Sequence, residues 1–125
     1  MPEPRQMPSF DKSPAELIER FDRLVARMPP DVERRKMFGY PALFVGGNLA
    51  TGLFGAAWMI RLPDAALAEI RALPGGGAFE PMPGRPMKGY ALVPQAVVAD
   101  DAELDGWILR AVGYVRAMPA KPGKG

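Results

Sequence analysis

Lys36-Met37-Phe38-Gly39-Tyr40-Pro41-Ala42-Leu43-Phe44-Val45 runs directly into Gly46-Gly47-Asn48, and a second apolar run begins at Leu49. Aromatic and aliphatic residues on either side of a Gly-Gly pair mark a β-hairpin, because the two glycines supply the positive φ values that a tight turn needs. The first strand is expected over 37–45. Pro41 has no N–H to give a ladder, which places that strand at a sheet edge or gives it a bulge there. The second strand is expected over 49–54, a turn at Gly55-Ala56, and a third strand over 57–62. Alternation puts Trp58, Ile60 and Leu62 on one face of it and Arg61 on the other.

Helical periodicity flanks this meander on both sides. Ser13-Pro14-Ala15-Glu16 has the form of a capping box, with Ser13 accepting from the Glu16 N–H. Leu17, Ile18, Phe21, Leu24, Val25 and Met28 then form one apolar stripe, closed by Pro29-Pro30. Glu16 with Arg20 and Glu19 with Arg23 are spaced as i,i+4 ion pairs. The stretch 31–35 reads as a connector, with one helical turn at most. Downstream, Asp64 is expected to cap a helix over 65–73 carrying Leu67, Ile70 and Leu73 inward, stopped by Pro74-Gly75-Gly76-Gly77. A short strand at 78–80, a Pro/Gly loop at 81–86, a strand over 87–93 and a third helix follow. That last helix is capped by Asp100 or Asp101 and runs to about Met118, with Leu104, Ile108, Ala111 or Val112, Val115 and Met118 as its stripe. The result is a single α+β domain over 13–118. It has an antiparallel sheet of four to five strands and three helices, in the order α-β-β-β-α-(β)-β-α. Residues 1–12 are expected to form a mobile arm and 119–125 a flexible tail.

Composition excludes much chemistry. The 125 residues hold no cysteine and no histidine. That removes disulfide frameworks, ordinary zinc sites and both Ser-His-Asp and Cys-His catalysis. Ser9, Ser13 and Thr51 are the only aliphatic hydroxyls. Net charge is +2, and Lys121 and Lys124 in the tail account for all of it. The globular part is therefore balanced and gives no global attraction to nucleic acid. No secretory leader and no apolar run long enough to span a bilayer is visible, so a soluble, cytoplasmic protein is expected.

Three clusters are candidates for chemistry. Asp100, Asp101, Glu103 and Asp105 are explained by a helix start, where carboxylates meet the positive end of the dipole. Gly75-Gly76-Gly77 follows a helix and precedes a strand, the reverse of a phosphate loop, and reads as a helix stop. Arg34-Arg35-Lys36 is the sharpest basic group. If the sheet brings Arg85 and Lys88 beside it, with Phe38, Tyr40, Met87 and Tyr90 interleaved, the result is a basic and aromatic surface able to hold an anionic partner. Met28, Met37, Met59 and Met118, with Trp58 and Trp107, are assigned to the core, and Met82 and Met87 are the methionines expected to be exposed.

The ordered set Arg35-Lys36-Met37-Phe38-Gly39, Leu43-Phe44-Val45, Leu62-Pro63, Phe79-Glu80-Pro81-Met82-Pro83-Gly84-Arg85-Pro86-Met87, Tyr90, Val93-Pro94 and Trp107 resembles the N-terminal domain of the TfoX/Sxy family. The likeness spans roughly 13–118. It implies an α+β fold and a bacterial, cytoplasmic setting, with a regulatory role related to transcription or DNA-uptake competence. It brings no catalytic residue set. The competence regulators carry a further C-terminal domain, for which the residues after the third helix leave no room, so a stand-alone domain is expected.

Together these readings give a non-catalytic domain without cofactor or metal. It is expected to act on a protein partner, a second copy of itself included, through the edge strand at 37–45 and the loop at 81–88. The alternative is nucleic acid held by Arg34, Arg35, Lys36, Arg85 and Lys88. A small-ligand site would require a concave pocket between the sheet and the third helix.

Overall fold

The fold is α+β, as expected. The computed structural model describes residues 13–37, 39–80, 84–85 and 87–119. The arm expected at 1–12, Phe38, parts of the Pro/Gly loop (81–83 and 86) and the tail from 120 onward lie outside the described residues. Helix α1 (Ala15–Ala26) leads into four consecutive strands, β1 (Val32–Met37), β2 (Tyr40–Val45), β3 (Asn48–Phe54) and β4 (Ala57–Arg61). Then come α2 (Asp64–Ala72), β5 (Gly77–Ala78), β6 (Tyr90–Leu92), the short α3 (Gln95–Val98) and α4 (Asp101–Arg116). The six strands form one antiparallel sheet in the order β1-β2-β3-β4-β6-β5.

The first departure from expectation is β1. The stretch read as a connector is a strand, and the stretch read as one strand over 37–45 is divided by a turn. Met37 pairs with Tyr40, so the loop between β1 and β2 is two residues long, with Gly39 at φ 83°. The next two hairpins have the same form. Val45 faces Asn48 across Gly46-Gly47, at φ 58° and 81°, and Phe54 faces Ala57 across Gly55-Ala56. A two-residue loop with positive φ matches the right-handed twist of the strands it joins and fixes their register. Pro41 is consequently interior rather than at the edge. Its tolerance follows from register: Ala42 is the first β2 residue matched on β3, opposite Gly52, and Pro41 has no β3 partner. The bulge lies further along, where pairing slips between Leu43 and Phe44.

Register assigns every side chain to a face. Val45, Leu43, Leu53, Trp58, Ile60 and Ala91 point to the helical side, where they pack on Phe21 and Leu24 of α1, Leu67 and Ile70 of α2, and Leu104, Ile108, Ala111, Val112 and Val115 of α4. The expected helix stripes are borne out there. Ala42, Leu49 and Met59 point to the opposite face and join Phe79 and Tyr90 in a second cluster. The strand expected over 87–93 shortens to Tyr90–Leu92, and that expected at 78–80 is two residues long and starts one residue earlier, at Gly77–Ala78.

Two helix starts differ from the sequence reading. Pro14 is the N-cap of α1 with no side-chain cap, and the Ser13 hydroxyl donates instead to the Gly55 carbonyl at 2.6 Å, tying the helix start to the β3–β4 turn. α2 begins at Asp64 itself, after Pro63. Asp100 does cap α4, accepting from the N–H groups of Ala102 and Glu103. α2 ends at Ala72, with Leu73 extended ahead of Pro74, so the expected stop falls at Pro74-Gly75-Gly76 and Gly77 already belongs to β5.

Inside the helical face one hydroxyl serves two partners. Thr51, fully buried, donates to the Met59 carbonyl at 2.6 Å and accepts from the Trp58 indole N–H at 2.8 Å. The indole then packs on Phe21, 5.2 Å between ring centroids. A buried N–H left without an acceptor costs about 1–3 kcal/mol. Thr51→Val, which keeps shape but removes the hydroxyl, is expected to lower unfolding stability by about that amount in urea titrations followed by tryptophan fluorescence. Gly76 stands against the backbone of Ile70, and a Cβ there would press on the Ile70 carbonyl oxygen. Gly76→Ala is expected to cost about 1–3 kcal/mol by the same measurement, as overpacking against rigid backbone does.

Candidate interaction surface

The basic cluster is carried by β1, and the alternation of that strand splits it. Arg34 and Lys36 lie opposite Leu43 and Pro41 and project to the helical side. Arg34 reaches α1, where its Nε donates to Asp22 at 2.6 Å. Arg35 lies opposite Ala42 on the other face. It pairs with Glu33 at 2.6 Å, two residues away, and its guanidinium sits 5.2 Å from the centre of the Phe44 ring. Lys36 is exposed and joins no ion pair among the described residues. Sequence reasoning singled out the cations and passed over the neutralising partners, Asp22 and Glu33, because Asp22 becomes a neighbour only through the α1–β1 packing.

Arg85 and Lys88 do not extend this cluster along the sheet. Lys88 precedes β6, and β6 is separated from β1 by β2, β3 and β4. That is four strand spacings, or about 19 Å. Arg85 and Lys88 are both exposed. Phe38 lies outside the described residues.

The expected interleaved aromatics are core residues. Tyr40 and Tyr90 are each 7 % exposed. They are the ends of a chain of rings across the second face: Tyr40 to Phe54 at 5.3 Å, Phe54 to Phe79 at 5.5 Å, edge on, and Phe79 to Tyr90 at 6.5 Å. Met37 and Met87, both half-buried, pack on the same cluster. The Met87 N–H donates to the Phe79 carbonyl at 2.8 Å, which folds the segment between β5 and β6 back on itself. Tyr90 and Met87 thus pack together in the second cluster, and the rings of Phe79 and Phe54 link them to Tyr40. Phe54, which joins them with Phe79, carried no signal beyond being apolar.

Several other charged groups are engaged in clasps between elements. Arg27 of α1 grips Asp105 of α4 through both carboxylate oxygens at 2.8 Å, and Arg20 reaches Asp101 at 3.1 Å. Arg20 thus serves α4 rather than Glu16. Glu19 and Arg23 keep the expected spacing at 3.8 Å. Arg116 holds Asp31 through two bonds of 2.8 Å, which keeps the Asp31 carboxyl below the usual carboxylate range. The acidic group at 100–105 is accordingly a helix cap and clasp. No cluster of three potential metal ligands occurs among the described residues, and none of their helices is long and apolar enough to cross a membrane.

One cleft of about 250 Å³ opens between the start of α1, the β3–β4 turn and α3, lined by Leu17, Trp58, Val93, Gln95 and Val98. Trp58 gives its N–H to Thr51. Among the described residues Gln95 is the remaining polar side chain of this cleft with hydrogen-bonding capacity, and an overlapping cleft of about 280 Å³ adds Glu16 and Arg20, the latter paired with Asp101.

The surface that remains is the outer edge of β1. Among the described residues it pairs with β2 on one side only, and its central residues Glu33, Arg34, Arg35 and Lys36 are exposed. The opposite edge, β5, is two residues long.

Residues 23–114, from the middle of α1 to near the end of α4, match the TfoX N-terminal domain. The chain belongs to that family. The match takes in the whole sheet, α2 and α3 in full and parts of α1 and α4, so the TfoX N-terminal domain corresponds to the α+β unit described above. No match was found among curated proteins, and none among solved structures. In this TfoX N-terminal domain Tyr90 makes the ring chain accessible to measurement. Burial pushes its phenol above the ordinary tyrosine range, against a smaller opposing pull from Arg61. The folded state then holds its proton at a pH where the unfolded chain has released it, so stability falls as pH rises beyond the unfolded value of about 10. Ultraviolet titration is expected to show a late-ionising tyrosine that disappears in Tyr90→Phe, with a shallower alkaline loss of stability in that variant.

Proposed function

We propose that this domain is a non-catalytic interaction module that docks an extended protein segment along the edge of β1. The observation that carries this reading is the edge itself: a six-residue strand, exposed through its middle, at the end of a sheet whose other edge is only two residues long. Strand addition uses backbone hydrogen bonds for affinity and alternate side chains for selection. β1 offers both.

The state of the reactive groups supports a non-catalytic role. With no histidine or cysteine in the sequence, no hydroxyl has an imidazole base beside it and no thiolate is present. Ser13 is committed to the Gly55 carbonyl and Thr51 to Met59 and Trp58. The acidic cluster binds arginines of α1. A protein partner is favoured over nucleic acid because the tyrosines that would stack on bases are buried, and because Arg34 and Arg35 already have carboxylate partners. Family membership suggests a bacterial cytoplasmic setting and a regulatory duty related to transcription or competence.

Lys36→Pro provides the test. In a two-residue hairpin the residues flanking the loop exchange hydrogen bonds. The N–H groups of Met37 and Arg35 therefore face β2, and that of Lys36 faces outward. Proline at 36 removes an outer donor without taking one from the β1–β2 ladder. Immobilised wild-type domain is expected to retain a protein partner at about 0.5 M salt, where phosphate-backbone binding is largely lost, and Lys36→Pro to release it. Retention of nucleic acid alone at low salt, or retention that proline leaves untouched, would overturn the reading.

A further inference from the structure

Resting on that reading of β1 as a docking edge, we infer that its occupant is β1 of a second copy, paired antiparallel about a two-fold axis through Arg34. Three observations select this partner and this register.

The first is the direction of the backbone groups. Met37 and Tyr40 flank a two-residue loop, so Met37, Arg35 and Glu33 spend their N–H and C=O groups on β2. Those of Arg34 and Lys36, with the Val32 carbonyl, face outward. The Val32 N–H agrees with this parity, since it donates to Pro29 at 3.3 Å rather than to β2. Residues of even number are thus the ones able to bond across the edge.

The second is charge. An axis normal to the sheet keeps the helices of both copies on one side and matches residues of like parity. Three registers then overlap usefully. An axis through Arg35 sets Arg35 against Arg35 and Arg34 against Lys36, all like charges. An axis through Glu33 sets Glu33 against Glu33 and shortens the overlap. An axis through Arg34 sets each Glu33 opposite Arg35 of the second copy. The Glu33–Arg35 pair already present at 2.6 Å becomes half of a four-membered ring of alternating charge. The Arg34 residues that meet at the axis each bring Asp22 as counter-charge, held at 2.6 Å. Opposite charges directly across an antiparallel pair stabilise it and like charges oppose it, so one register survives of the three.

The third is the bonding this register allows. Arg34 N–H meets the Arg34 carbonyl of the other copy, reciprocally, and Lys36 N–H meets the Val32 carbonyl at either end. Every outward donor of the strand is used. Charged side chains on an edge ordinarily prevent indiscriminate pairing. Here the pattern blocks the neighbouring registers and leaves a self-complementary, isologous one open.

Sedimentation velocity over a concentration series tests this, with folding of each variant checked by circular dichroism and tryptophan emission. The wild-type chain is expected to sediment as a dimer that dissociates on dilution. Glu33→Arg and Arg35→Glu, each alone, create like-charged contacts and are expected to weaken the dimer by about tenfold or more. The double variant Glu33→Arg/Arg35→Glu restores alternation and is expected to recover dimerisation to within about threefold of wild type. Lys36→Pro, folded, is expected to be monomeric. A chain that stays monomeric at the highest concentration overturns self-pairing. If that monomer still retains another protein that Lys36→Pro releases, the docking reading stands and only the occupant is wrong. A dimer indifferent to all of these substitutions, or one that the charge swap fails to rescue, equally overturns the inference.

Discussion

Three successive two-residue turns constrain everything else in this domain. Each fixes the register of the strands it joins, and in a strand the register decides which face every side chain occupies. From the turns at 38–39, 46–47 and 55–56 it follows that Leu43, Trp58 and Ile60 meet the helices while Ala42 and Met59 meet the rings of Phe79 and Tyr90. A slip of one residue would turn the aliphatic layer out from under α1 and α4. The buried hydroxyl of Thr51 reinforces the same register, because it satisfies Trp58 and Met59 only when β3 and β4 are aligned as they are.

The two faces are stabilised differently. The helical side is a broad aliphatic layer, closed at its rim by arginine clasps from α1 to α4 and from α4 to the residue before β1. These clasps are solvent-exposed, and ion pairs of that kind contribute little energy on their own. They orient the helices over a layer whose burial does most of the stabilising. The opposite side is narrower, with four rings in line and methionines filling between them. Thioether side chains suit such a place because they adapt to irregular gaps.

Much of the fold was legible from local pattern. The Gly-Gly turn, the stripes at Leu17–Met28 and Leu104–Met118 and the Asp100 cap are all short-range signals, and each is found where expected. The misreadings have physical causes. Val32–Met37 carries four charged residues in a row, which hides a strand from any rule based on alternation; it is a strand because a hairpin holds it to β2. The turn at Gly39 was concealed because its glycine stands alone in an otherwise apolar run. Ser13 fits a capping box by sequence, yet the Gly55 carbonyl, 42 residues away, captures its hydroxyl. For the basic residues of β1, the cations are legible in the sequence and their neighbours are not. Their partners Asp22 and Glu33, and the separation of Lys88 from β1 by three strands, are products of topology.

The ties that steady β1 have an implication for biosynthesis. Asp31, at the mouth of that strand, is gripped by Arg116, 85 residues later, and Asn48 at the next hairpin donates to the Pro119 carbonyl, 71 residues on. A nascent chain leaving the ribosome exposes its charged outermost strand long before either anchor has been translated. The row of charges keeps that strand soluble and averse to indiscriminate pairing during the wait.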